Sequence, residues 1–222
     1  VRKDWKNLNG LWNYSITTKG DPAPDSFDNK ILVPFPIESS LSGVKKRISQ
    51  ENEIWYYRTF NIPSEWKKKQ IILHFGGVDW KSEVWVNDKK AGVHQGGYSP
   101  FSFNVTPYLK NQKNQKLVVK VWDPTDKGYQ PIGKQTDNPR GIWYTPVTGI
   151  WQTVWLEPVD SKYIELIHTT PNIDKNHVSI KIKTSERSEG DYFKIIVKEG
   201  NAIISTTKAS VESKLEIPIT NP

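Results

Sequence analysis

The chain has 222 residues, a formal net charge of +7 and 36% hydrophobic residues, long enough for one large β domain or one domain and part of another. It contains no Cys, which excludes disulfides and thiolate chemistry, and its mean hydropathy is −0.63, with no stretch near the ~18 consecutive apolar residues of a membrane helix. Lysines are spread along the sequence, with short runs only at Lys45-Lys46-Arg47 and Lys67-Lys68-Lys69 beside turn-like segments; the basic balance reads as a solvated surface, and no nucleic-acid partner is expected.

Short strands follow one another. Leu11–Thr17 opens the series after Asn9-Gly10, Ile54–Asn61 alternates and stops at Ile62-Pro63, and Gln70–Phe75 ends at Gly76-Gly77. Glu83–Asn87 is followed by the turn former Asp88, Leu117–Trp122 ends at Asp123-Pro124, and Gly149–Glu157 ends at Pro158. Each run is rich in β-branched and aromatic residues and punctuated by Gly, Pro, Asn or Asp. No window keeps apolar residues at helical spacing; only Ser64–Lys69 predicts one short helical turn, with Ser64 as its cap. The pattern predicts an all-β sandwich or jelly roll.

Between Trp122 and Gly149 the spacing is too long for a hairpin, and Asp123–Thr148 carries Pro124, Pro131, Pro139 and Pro146. A structureless segment of that length within a domain is commonly functional. Composition changes after Pro158: all ten Trp precede it, and the remainder reads as thin alternating strands at Tyr163–Ile167, Val178–Ile182, Tyr192–Val197, Ala202–Thr206 and Leu215–Ile219. A domain boundary is expected near Val159-Asp160. The second segment is short of the roughly 100 residues of an immunoglobulin-like sandwich, so a truncated domain is expected there.

Little in the chain points to redox or metal chemistry. His74, His94, His168 and His177 are scattered, no Asp-rich calcium loop occurs, and no cofactor motif is present; neither a metal nor a cofactor is expected. Ten Trp, nine Tyr and seven Phe supply flat apolar faces, which fill sandwich cores and also stack against sugar rings. The chain starts at Val1 and holds no Met; removal of a leader, and with it a periplasmic or secreted location, is an expectation.

Six motifs in one order resemble the N-terminal region of the family 2 glycoside hydrolases, the β-galactosidases, β-glucuronidases and β-mannosidases. They are Leu8-Asn9-Gly10-Leu11-Trp12; Val33-Pro34-Phe35-Pro36-Ile37-Glu38-Ser39 with Leu41-Ser42-Gly43; Trp55-Tyr56-Tyr57-Arg58-Thr59-Phe60; Phe75-Gly76-Gly77-Val78-Asp79 with Val84-Trp85-Val86-Asn87; Gly92-Val93-His94 to Gly97-Tyr98-Ser99-Pro100-Phe101; and Gly149-Ile150-Trp151 to Leu156-Glu157-Pro158. The resemblance implies a jelly-roll β-sandwich of the sugar-binding type over residues 1–158 and the start of an immunoglobulin-like β-sandwich over 160–222. It also implies a (β/α)₈ barrel elsewhere in the parent protein, carrying the two catalytic Glu of a retaining mechanism. No βα alternation occurs in this chain, so no catalytic residue is assigned in it. The implied partners are the barrel and, through it, a carbohydrate; assembly into a homo-oligomer is a further expectation.

Candidate substrate-binding residues follow from the loops. Glu38 fits two roles, a loop acid that reaches the parent's active site or, more commonly for such loops, an acceptor for backbone N–H groups. Asp79 and Glu83 are four apart but separated by a turn; Asp79 reads as a buried hydrogen-bonding group, not half of a catalytic pair. Arg58 reads as a stem-packed side chain paired with an acid, Asp79 being the candidate. In the long segment some relatives place an acid against the sugar, and that position is Trp143 here, which points to stacking instead, with hydrogen bonds from Asp137, Asn138 or Arg140; Tyr144 completes the set. Packing of this loop on a neighbouring domain is the rival reading. At the level of function the alternatives are the non-catalytic front end of a family 2 glycosidase, a free-standing carbohydrate-binding module, and an interaction domain without sugar contact.

Overall fold

Alternating burial runs through the strands of the computed structural model, which describes residues 2–186, 188–210 and 215–219. Two compact units, residues 1–158 and 159–222, divide the chain. In the first unit the strands are β1 (Lys6–Asn7), β2 (Gly10–Thr18), β3 (Asn29–Val33), β4 (Asn52–Phe60), β5 (Gln70–Phe75), β6 (Val78–Asp79), β7 (Lys81–Val86), β8 (Lys89–Gln95), β9 (Phe101–Asn104), β10 (Gln115–Trp122), β11 (Gly149–Ile150) and β12 (Val154–Val159).

They form a six-stranded sheet, ordered β3-β2-β4-β10-β7-β8, a four-stranded sheet, β1-β12-β5-β9, and a small β11-β6 pair. Ile54, Tyr56, Val84, Val86, Leu117, Val119 and Val121 of the large sheet share one core with Ile71, Leu73, Phe75, Val154 and Leu156 of the smaller one, which is a β-sandwich. Trp12 lies fully inside it, and its indole N–H donates to the Leu8 carbonyl at 2.8 Å, so the largest buried side chain leaves no unpaired donor. Burying each such side chain contributes about 1.5–3 kcal/mol.

Four sequence expectations need correction. Strands β1, β3 and β6 fall outside the expected runs, and the Gly92–Phe101 motif, a hairpin by the family resemblance, supplies β8 beside β7 in the large sheet and β9 beside β5 in the smaller one; β8 reads Lys-Lys-Ala-Gly-Val-His-Gln and is a largely exposed edge, where lysines guard against edge-to-edge pairing. Residues 149–157 are two strands, because Trp151 and Gln152 turn their N–H groups to the Gly77 carbonyl and Gly76 N–H takes the Thr153 carbonyl. The helical turn is a 3₁₀ turn over Ser64–Trp66 with Pro63, not Ser64, in the cap position. Arg58 does not pair with Asp79: its guanidinium donates to the Asn9 carbonyl at 3.1 Å and lies 5.7 Å from the Trp12 ring centre, a cation–π contact at the core's rim.

The second unit holds β13 (Ile164–Asn172), β14 (His177–Thr184), β15 (Tyr192–Glu199), β16 (Ala202–Ser210) and β17 (Leu215–Pro218). They pair as a β13-β14-β17 sheet and a β15-β16 hairpin. Among the described residues its buried hydrophobic cluster is Ile180, Leu215 and Ile217.

Candidate functional site

The segment between β10 and β11 makes no strand of its own, and buried side chains give it its shape. Asp123, at the end of β10, closes its two ends: Oδ1 accepts the Thr125 N–H at 2.7 Å and Oδ2 accepts the Thr148 hydroxyl at 2.9 Å. The Thr148 N–H donates to Glu38 Oε2 at 2.9 Å, and the Thr148 carbonyl accepts from Ile37 N–H at 3.3 Å. In the middle, Gln135 is 4% exposed; its amide donates to Asp79 Oδ2 at 2.9 Å and to the Tyr98 hydroxyl at 3.2 Å, and its oxygen accepts the Val147 N–H at 2.6 Å. One amide thus ties the segment to β6 and to the loop after β8.

Two glycines permit this closeness. A Cβ on Gly97 would sit 2.4 Å from Asp79 Oδ1, and one on Gly149 would sit 1.9 Å from the Tyr56 hydroxyl. Gly149 also has φ +98°, a conformation costly to residues with a side chain. The Tyr56 hydroxyl meanwhile accepts the Ile150 N–H at 3.3 Å.

Glu38, Asp79 and Asp123 are all buried here. Burial pushes the Glu38 carboxyl up to about 7, partly opposed by the Thr148 donors and reinforced by repulsion from Asp123. Asp79 is likewise pushed up to about 7, by burial first and by Asp123 second, and burial raises Asp123 as well. Glu38 Oε1 is buried without a hydrogen-bond partner, a state that costs less for a protonated carboxyl than for a carboxylate. The other carboxylate contacts of these acids are with backbone, hydroxyl and amide donors behind the loop.

The front of the loop differs. Trp143, 44% exposed, and Tyr144, 46% exposed, stand out from it. Their backbones are fixed: Trp143 N–H donates to the Arg140 carbonyl at 2.9 Å, Tyr144 N–H to the Lys134 carbonyl at 2.9 Å, and Thr136 N–H to the Tyr144 carbonyl at 3.0 Å. Asp137 is held on three sides, by Arg47 on its carbonyl at 3.1 Å, Asp126 on its N–H at 3.1 Å and Lys127 near its carboxylate at 3.7 Å. Asn138 and Arg140 are exposed, and among the described residues it is their backbones that are engaged, Asn138 through its N–H to the Thr136 hydroxyl and Arg140 through its carbonyl to the Trp143 N–H. The structure thus brings Asp137, Asn138, Arg140, Trp143 and Tyr144 onto one exposed stretch and leaves Glu38 buried behind it.

Beside the loop lies an open depression of about 520 Å³, lined among others by Pro34, Tyr98, Trp151, Gln152, Thr153 and Trp155. Tyr98 meets Trp151 edge to face at 6.2 Å, and the Trp151 indole donates to the Gly97 carbonyl at 2.8 Å. Gln135, Asp123 and Thr148 carry the geometry of the whole region, yet no sequence signal marked them: their role depends on partners as far as 25, 56 and 110 positions away. Tyr98 and Trp151 did stand inside motifs of the family 2 resemblance.

Among the described residues there is no helix long and apolar enough to cross a membrane and no group of three or more His, Cys, Asp or Glu suited to a metal ion. Residues 31–157 match the family model "Glycosyl hydrolases family 2, sugar binding domain". A β-galactosidase of Thermoanaerobacter pseudethanolicus is 30% identical over 97% of this chain, which spans 30% of that protein. A β-galactosidase of Bacteroides ovatus is 30% identical over 62% of the chain and 15% of its own length. A solved β-glucuronidase of Lactobacillus rhamnosus superposes with a TM-score of 0.74 at 20% identity, covering all of this chain and 40% of that one; at such identity the likeness speaks to the fold. The chain therefore spans about a third of the relatives it matches along its whole length and has no (β/α)₈ barrel among its described residues. With the family model covering more than half of it, the chain belongs to glycoside hydrolase family 2 and carries that family's sugar-binding domain.

Proposed function

We propose that this chain supports and shapes the active site of a catalytic barrel in a retaining family 2 glycoside hydrolase, with residues 137–144 reaching the bound sugar. One observation carries the reading: the long segment is fastened from behind by Asp123, Glu38 and Gln135, while its front presents Asn138, Arg140, Trp143 and Tyr144 to solvent. Fixed aromatic faces beside uncommitted polar groups are what a pyranose requires, a flat C–H surface to stack on and donors in the ring plane. Preset geometry saves the ordering cost of binding.

In this reading Trp143 stacks, Arg140 and Asn138 hydrogen-bond sugar hydroxyls or a uronate, and the buried acids position them. Residues 160–222 open an immunoglobulin-like domain, in keeping with their antiparallel β13-β14-β17 and β15-β16 pairings. The substrate is a β-galactoside or a β-glucuronide, the two activities named for the relatives. The test is kinetic. In the full-length enzyme, Trp143→Ala and Arg140→Ala each lower kcat/KM for the preferred aryl glycoside about tenfold or more, and the 222-residue chain alone releases no product. Unchanged kinetics in both variants would remove the loop from the site.

The open depression at Tyr98, Trp151 and Trp155 favours a second reading, a carbohydrate-binding module that acts by itself. Millimolar or tighter binding of a galactoside, glucuronide or mannoside by the isolated chain in isothermal titration would support it.

A further inference from the structure

The first unit carries a second cleft, of about 610 Å³, within the roughly 300–1,000 Å³ span of ligand sites. Two chain stretches line it, one around the Ser64–Trp66 turn and one from Thr106 to Gln115. Lys67 and Lys69 come from the first, Lys110 and Lys113 from the second, and no Asp or Glu is in the lining. Lys67, Lys110 and Lys113 make no salt bridge among the described residues. Of the nearby acids, Asp88 takes the Lys116 ammonium at 2.7 Å and also lies within the field of Lys110, and Glu65 sits exposed in the turn, accepting the Ser64 hydroxyl at 3.3 Å.

The cleft is built, not merely basic. Gln115 is 1% exposed and spends its whole side chain on the rim: Nε2 donates to the Lys110 and Gln112 carbonyls at 3.0 and 2.5 Å, and Oε1 accepts the Lys110 N–H at 2.8 Å. Asn87 donates to the same Oε1 at 2.6 Å, and the Asn114 N–H to Asn61 Oδ1 at 2.6 Å. The backbone that carries Lys110 and Lys113 is therefore held in place.

We infer that this cleft binds an anionic polysaccharide, a chain bearing sulfate esters or uronate carboxylates. The exposed ammonium groups of Lys67 on one rim and of Lys110 and Lys113 on the other supply the attraction as point charges. Asn111 and Gln112 offer amides that match sugar hydroxyls. Trp66, the aromatic of the lining, is buried at 6% exposure, so the cleft lacks the open ring on which a nucleobase would stack. The inference stands on residues separate from loop 137–144 and does not depend on the proposed role of that loop.

The test titrates the 222-residue chain with heparin, polygalacturonate, neutral dextran and oligothymidylate at 50 and 200 mM salt. Wild type is expected to bind heparin or polygalacturonate, more weakly at the higher salt, and to ignore dextran; binding of polygalacturonate shows that carboxylates suffice, binding of heparin alone shows that sulfate is required, and binding of neither overturns the site. Lys110→Glu with Lys113→Glu weakens that binding about tenfold, whereas Lys194→Glu with Lys198→Glu, exposed on β15, changes it less than twofold. Equal weakening by the two double variants would reduce the effect to net charge and overturn the site. Equal or tighter binding of oligothymidylate through the same lysines would overturn the polysaccharide assignment. All four lysines to be replaced are exposed, and thermal melts confirm that each variant is folded.

Discussion

The two units share one strand grammar and differ in what fills it. In the first, Trp12, Tyr56, Phe75, Leu73 and Leu117 close a continuous core between two sheets; in the second, the described cluster is Ile180, Leu215 and Ile217, and Leu166, Ile167 and Ile203 stay exposed. Alternation alone makes a sheet. Large side chains meeting across the sandwich give it a cooperative core.

Emptying the first core has the largest expected effect. Trp12→Ala costs about 3–5 kcal/mol and moves the main calorimetric transition far down, while Ile217→Ala, in the small cluster, moves only a separate and weaker transition. A single transition displaced equally by both would make the two units one cooperative body.

Gln135→Ala sharpens the contrast within the first unit, between its strands and its long segment. It strands the Asp79 carboxyl, the Tyr98 hydroxyl and the Val147 N–H, at about 1–3 kcal/mol for a buried group left unpaired. Limited proteolysis at residues 138–142 is expected to quicken, with β-sheet circular dichroism unchanged.

A smaller effect comes from pH. Glu38 and Asp79 hold their protons up to about 7 in the folded chain, against 4.5 and 3.8 when free. The native state binds more protons than the unfolded one across that window, so their contribution is full in acid and is lost as pH rises from about 4 through about 7. Melting temperature falls over that range in wild type and falls less in Glu38→Gln. An identical slope in the variant would show that Glu38 does not titrate there.

Much of the fold was legible, because Gln70–Phe75, Leu117–Trp122 and the strand around Trp55 announce themselves by alternation and by the residues that stop them. Lys89–Gln95 did not, since an edge strand is chosen for charge and not for apolar period, and the break at Trp151–Thr153 depends on where Gly76 and Gly77 lie. The exposed candidates Asn138, Arg140, Trp143 and Tyr144 were readable as residue types in a long loop. Their supports were not: nothing local distinguishes Gln135 from any other loop amide, and Asp123 looks like a strand stop until Thr125 and Thr148 are seen on its two oxygens. The expectation that Glu38 meets backbone donors has its counterpart in the Thr148 N–H.

Everything proposed for residues 137–144 requires that the long segment is shaped before any sugar arrives. Amide hydrogen exchange of the free chain measures this residue by residue. Thr136, Tyr144, Val147, Thr148 and Ile150 are expected to be protected comparably to β10. Exchange at those five amides as fast as in an unstructured peptide would contradict that shape.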